Sequence, residues 1–103
     1  MRIAKVIGTV TLNRSLPSYR GAKLRLVLPL QLEDILGDTE QTEDTLVAWD
    51  ELGAGIGNLV AVSEGPEAAQ PFRPEVKPIE AYAAAILDCL DVDRSRAEPL
   101  ARR

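Results

Sequence analysis

Apolar and polar residues alternate over the first stretch of the chain. Ala4, Val6, Gly8, Val10 and Leu12 fall on one face, and Ile3, Lys5, Ile7, Thr9 and Thr11 fall on a more polar one. A period of two predicts a strand over Ile3–Leu12 with its core side on the first set. Gly8 on that face permits the sharp coiling or close backbone approach that a small barrel requires. The alternation is cleanest from Lys23 to Leu32. Leu24, Leu26, Leu28, Leu30 and Leu32 point one way, and Lys23, Arg25, Val27, Pro29 and Gln31 point the other. A helix would spread these leucines around its circumference. Pro29 cannot donate a ladder hydrogen bond, so the strand is expected to be at an edge or bulged there.

Two further strands are predicted, Thr45–Trp49 and Asn58–Glu64, the second with Leu59, Val60, Ala61 and Val62 mostly buried. They are separated by the loop Gly53-Ala54-Gly55-Ile56-Gly57. Asn13–Ala22 and the acidic stretch Glu33–Asp44 read as loops. Gly65–Pro78 carries four prolines and leaves room for one helical turn at Glu67–Gln70. In Ile79–Leu90, Ile79, Ala83, Ile86, Leu87 and Leu90 recur at helical spacing among several alanines, so propensity alone predicts a helix. The charged tail Asp91–Arg103 is expected to fray. Four or five short strands with turn signals between them indicate a small all-β barrel.

Composition narrows the function. A chain of 103 residues makes one small domain, and small barrels gain stability by burying further surface between subunits. With 12 Lys+Arg against 16 Asp+Glu, the formal net charge of -4 argues against a broad nucleic-acid surface or a polybasic membrane anchor. The absence of histidine removes Ser-His-Asp and Cys-His chemistry and His-ligated zinc. Cys89, the one cysteine, can form no intrachain disulfide and reads as an inert small apolar residue. The N-terminus enters a strand pattern without an apolar signal segment. No apolar run approaches the roughly 20 residues that span a bilayer. The expectation is a soluble cytoplasmic domain.

Several local features invite chemistry and are better explained by structure. The glycine loop has the spacing G-x-G-x-G and leads into a strand, whereas a dinucleotide fingerprint opens a helix; its glycines suit positive φ and close packing. Glu33, Asp34, Asp38, Glu40, Glu43 and Asp44 lack the ordered ligand positions of a calcium loop and read as solvated. Asp50 and Glu51 have no convergent partner, so a turn or cap role is expected. Trp49 fits either a barrel core or an interface. Tyr19 and Phe72 sit in loops and form no base-stacking platform. Arg94, Arg96, Arg102 and Arg103 make a basic, solvated tail.

Three blocks then bring a family into view: Met1-Arg2-Ile3-Ala4-Lys5-Val6-Ile7-Gly8-Thr9-Val10 with Gly21-Ala22-Lys23-Leu24; Leu52-Gly53-Ala54-Gly55-Ile56-Gly57-Asn58-Leu59-Val60 with Glu64-Gly65; and Lys77-Pro78-Ile79-Glu80-Ala81 with Ile86-Leu87-Asp88. In order and spacing the chain resembles the bacterial microcompartment vertex proteins of the EutN/CcmL family. It departs from the family pattern at Gln70, Glu80 and Asn58. The resemblance implies a five-stranded OB-like β-barrel over residues 1–91 with a charged tail at 92–103. It also implies a strand over Ala83–Leu90 in place of the helix that propensity favours. It implies a structural protein with no catalytic residues, cofactor or metal. A homo-pentamer would cap fivefold vertices of a cytoplasmic shell whose facets are hexameric proteins. Gly53, Ala54, Gly55, Ile56, Gly57 and Asn58 are the candidate interface or fivefold-axis loop. The competing readings are an OB-like module for single-stranded nucleic acid and a small carboxylate enzyme.

Overall fold

The computed structural model describes residues 1–37 and 44–101. Five strands, β1 (Arg2–Val10), β2 (Leu24–Pro29), β3 (Leu46–Trp49), β4 (Leu59–Glu64) and β5 (Ala81–Leu87), close into a barrel in the order β1-β2-β3-β5-β4. All neighbours are antiparallel except β3 and β5. Two short helices, α1 (Leu32–Gly37) and α2 (Arg94–Ala101), and 3₁₀ turns at Pro17–Tyr19 and Gly65–Phe72 complete it.

The lumen is packed by Ala4, Val6, Val27, Ala48, Ala54, Val60, Val62 and Ala81. Every fully buried member is alanine or valine, which suits the narrow bore of five strands, and the partly buried Leu46, opposite Val27, packs against them. This accounts for β5. Its sequence Ala81-Tyr82-Ala83-Ala84-Ala85-Ile86-Leu87 favours helix locally, yet it pairs with β4 along its length. Packing overrules propensity, since Ala81 and Ala83 are the size the lumen accepts. The helix expected from spacing at Ile79–Leu90 is absent, and the strand implied by the family resemblance is present, running from Ala81 to Leu87.

The leucine row of β2 faces away from the lumen. Val27 is fully buried within the lumen cluster, so its neighbours Leu24, Leu26 and Leu28 point to the outer side of the wall. Alternation identifies two faces but not which is inside. The face of β1 divides for a second reason. A bulge shifts the pairing from Val6 opposite Val27 to Gly8 opposite Leu26 and Val10 opposite Leu24. Ala4 and Val6 therefore point inward, and Gly8 and Val10 point outward.

β2 ends at Pro29 and not at Leu32. The nitrogen of Leu30 donates to Ile3 O at 2.9 Å, so the Pro29 nitrogen faces the β3 side, where pairing has already ended at Val27 opposite Leu46. The missing donor there leaves no ladder bond unmade. The acidic stretch opens with α1: Asp34 is buried, and its Oδ2 accepts the backbone N–H of Gln31 at 2.8 Å, as in a capping box. Asp38, Thr39, Glu40 and Glu43 lie outside the described residues, as do Arg102 and Arg103.

Residues 94–101 form a helix where a frayed tail was expected. Asp93 Oδ1 caps it by accepting from Ser95 N at 3.1 Å and Ser95 Oγ at 2.7 Å. Arg94 Nη2 donates to Leu36 O at 2.6 Å, placing a cation on the C-terminal carbonyls of α1, and Ala97 is buried.

The seam between β3 and β5 is the weakest part of the wall, with one paired position, Trp49 opposite Tyr82. All four aromatic residues gather across it. Trp49 meets Tyr19 at 6.0 Å between ring centroids and Phe72 at 4.9 Å, and Phe72 meets Tyr82 at 5.6 Å, edge to face. Lys77 Nζ lies 5.1 Å from the Trp49 ring centroid and 5.4 Å from that of Phe72, and donates to Ser18 O at 2.5 Å. Aromatic pairing and a shielded cation–π contact replace the ladder bonds that a single pair cannot supply. Phe72→Ala is therefore expected to lower unfolding free energy by about 2 kcal/mol or more, read by urea titration of Trp49 fluorescence.

Candidate assembly site

The chain must cross one end of the barrel between β3 and β4, and Asp50 organises the crossing. Its carboxylate is fully buried. Oδ1 accepts the backbone N–H of Leu52 at 2.9 Å, and Oδ2 accepts that of Ala54 at 2.8 Å. Arg25 Nε lies 3.3 Å from the same Oδ2 and donates to Ala54 O at 2.7 Å. A buried carboxylate is costly unless its lone pairs are met by donors and its charge by a cation; here both conditions hold. The cap role expected of Asp50 is the one observed.

The rest of the loop is pinned as firmly. Gly53 and Gly57 have φ of +82° and +93°, which side-chain-bearing residues rarely adopt. Between them Ala54 turns inward and plugs the lumen. Asn58 Oδ1 accepts Gly55 N at 2.7 Å, and Asn58 N donates to Gly55 O at 3.0 Å. Gly57 N donates to Val6 O at 2.8 Å and Val6 N donates to Asn58 O at 2.9 Å, tying the loop to β1. The loop is thus held by its own polar groups, yet Leu52 is 50% and Ile56 71% exposed. The six candidate residues Gly53, Ala54, Gly55, Ile56, Gly57 and Asn58 form one unit. Gly55 has no need of its missing side chain within this chain: a Cβ there would meet only Asn58 Oδ1, at 3.6 Å.

Asp50 and Glu51 do not converge. Asp50 turns into the loop, and Glu51 Oε2 accepts from the Tyr82 hydroxyl at 3.1 Å. Among the described residues no group of three or more His, Cys, Asp or Glu is placed to hold a metal ion, and no helix is long and apolar enough to cross a membrane. Cys89 is exposed.

One surface was not anticipated from the sequence. Val10, Leu12, Leu16, Leu24, Val47 and Ile79 line an open groove of about 520 Å³ on the outer wall, beside Trp49. Of the leucine row only Leu24 contributes to it; the other lining residues come from separate stretches of the chain.

Two outcomes test this arrangement. Asp50→Ala is expected to lower unfolding free energy by about 3 kcal/mol or more, because it leaves the buried Ala54 N–H, the part-buried Leu52 N–H and Arg25 without their carboxylate. Burial, the hydrogen bond to Glu51 and the charges of Glu51 and Asp50 raise the Tyr82 hydroxyl above its ordinary 10.0. A raised value favours the neutral phenol in the folded chain, so its contribution is full below the unfolded value and is lost as pH rises through the folded one. Ultraviolet titration is expected to show a tyrosine ionising late, and Glu51→Gln to bring it back toward 10.0.

Comparison with known proteins places this geometry. Residues 1–88 match the family described as ethanolamine utilisation protein EutN/carboxysome. The chain is 40% identical over 93 residues to the carboxysome shell vertex protein CcmL of Nostoc sp. (strain PCC 7120), covering 90% of this chain and 88% of that one. The structure of CcmL from Gloeobacter violaceus superposes with a TM-score of 0.76 at 31% identity, covering 90% and 91% of the two chains. GrpN, a pentameric microcompartment shell protein from Rhodospirillum rubrum, superposes with a TM-score of 0.74 at 32% identity, covering 90% of this chain and all of that one. With a closed five-stranded barrel and a match along nearly its whole length, the chain belongs to the EutN/CcmL family.

Proposed function

We propose that this chain is a structural shell protein, five copies of which form a ring that caps a fivefold vertex of a polyhedral bacterial microcompartment in the cytoplasm. The observation that carries the reading is the near-full-length likeness to shell vertex proteins, one of them described as pentameric. The physics of the barrel supports it. A bore packed mainly by alanine and valine leaves many larger apolar side chains on the outside, where a neighbouring subunit can cover them. A head-to-tail interface repeated about a closed axis yields a ring, and a closed shell requires fivefold points in a lattice of hexameric facet proteins, the expected flanking partners.

In this reading residues 1–91 are the vertex barrel and residues 92–103 an appendage whose helix rests on α1. The loop Gly53–Asn58 lies at the subunit interface around the fivefold axis. Gly55, unconstrained within the chain, is kept free of a side chain by the approach of its symmetry copies. The role is structural and needs no catalytic group or cofactor. The relatives reported above are shell proteins and lend nothing to the nucleic-acid reading. The aromatic rings also pack on one another and on Lys77 instead of standing free for bases.

The decisive measurement is native mass in solution. The expected value is five times that of the 11.2 kDa chain. A monomer over a wide concentration range overturns the proposal. Gly55→Leu is expected to fold, because its Cβ site is open in the chain, and to lose the ring; normal pentamers from this variant would remove the loop from the axis.

A further inference from the structure

Two helices stand apart from the barrel. Among the described helices and strands, α1 packs closely on α2 alone, and α2 on α1 alone. Neither is long enough to persist by itself. α1 has six residues and α2 eight, whereas an isolated helix of even about 12–15 residues is marginal in water. Each also carries a cost of its own. Asp34 Oδ1 in α1 is buried with no hydrogen-bond partner among the described residues, and Pro99 removes one ladder donor from the interior of α2.

The contact between them offsets these costs. Arg94 Nη2 donates to Leu36 O, a carbonyl in the last turn of α1 that has no acceptor role left within its own helix. The guanidinium also meets the negative end of that helix. Its Nε lies 3.6 Å from Glu98 Oε1, one turn along α2. Leu36 and Ala97 are the buried apolar residues of the two helices. The barrel needs none of this. β5 has closed the wall at Leu87, and the matched family region ends at residue 88, before α2 begins. A contact with little buried apolar surface and few hydrogen bonds across it opens at low cost, without the strands.

We infer that α1 and α2 form a clasp that opens and closes as one unit apart from the barrel, with the C-terminal tail ordering or releasing residues 32–37. In the closed state α1 is helical, Arg94 holds its last turn and Leu36 is covered. In the open state both helices unwind together, since neither holds without the other. Leu32, Ile35 and Leu36, spaced as one side of a helix, then come free while the five strands keep their pairing. The tail thereby sets the conformation of a segment 58 positions earlier in the sequence.

Amide hydrogen exchange of the full chain, read by mass spectrometry, tests the clasp. In the unaltered protein, residues 32–37 and 94–101 are expected to be protected, to exchange at similar rates, and to exchange about tenfold or more faster than β1 and β4. Ala97→Asp, which puts a charge at the buried position of α2, is expected to speed exchange across the contact, in 32–37, by about tenfold or more. Arg94→Gln is expected to move both segments the same way by less. Both variants should keep the exchange of β1 and β4, the native mass and the urea midpoint of Trp49 fluorescence. Unchanged rates in 32–37 in both variants overturn the dependence of α1 on the tail. A urea midpoint that falls in Arg94→Gln, at an exposed position, overturns the separation from the barrel. Segments without protection in the unaltered protein overturn the clasp itself.

Discussion

The narrow bore of a five-stranded barrel is the constraint from which the rest of this structure follows. Alanine and valine make up its fully buried packing, with Leu46 against them, so a sequence rich in leucine places most of its large apolar side chains elsewhere. They go to the outer wall, where Leu24 supports the aromatic ladder and Leu12, Leu16 and Val47 stay open to solvent. A chain of this size cannot cover that much apolar wall with its own loops. Its economy is that of a component, with a sealed interior and an exterior finished by neighbours.

Two polar devices make the sealed interior possible. At one barrel end Asp50 gathers two backbone N–H groups and Arg25, so the crossing from β3 to β4 can pass over the lumen and drop Ala54 into it. At the seam between β3 and β5, Lys77 and four aromatic rings supply what one paired position does not. Both devices join segments distant in sequence, and both serve the wall before they serve any partner. The tip formed by Leu52 and Ile56 is a by-product of the first device: once the backbone is fixed from within, its apolar side chains have nowhere to turn but outward.

Much of this was legible beforehand, and what was not has physical causes. Strict alternation located β1 and β2, and turn residues bounded β3 and β4. Alternation does not say which face is inside, however, so it could not tell that Val27, and not the leucine row, holds the lumen. The bulge at Ile7 reversed Gly8 and Val10 with no marker beyond the glycine itself. β5 had to be recognised by likeness, because alanine is helix-forming in isolation and strand-forming only where nothing larger fits. α1 and α2 were overlooked as charged loop and tail, although Asp34 three residues after Gln31, and Asp93 before Arg94, are capping signals. The glycine loop stood out by its spacing and Asp50 as a turn or cap residue beside it, but the hydrogen bonds that join the two carry no sequence signal. The groove was missed entirely, because its residues come from four separate stretches of the chain.

The strand order also sets a timetable for synthesis. β1 emerges first, but one of its two neighbours is β4, and the wall closes only when β5 has joined both β4 and β3. Until residue 87 has left the ribosome, the nascent chain is an open sheet with two unpaired edges and a leucine-rich face uncovered. Closure of the barrel thus belongs to the last part of synthesis, and the edges of β3 and β4 stay open until β5 bridges them.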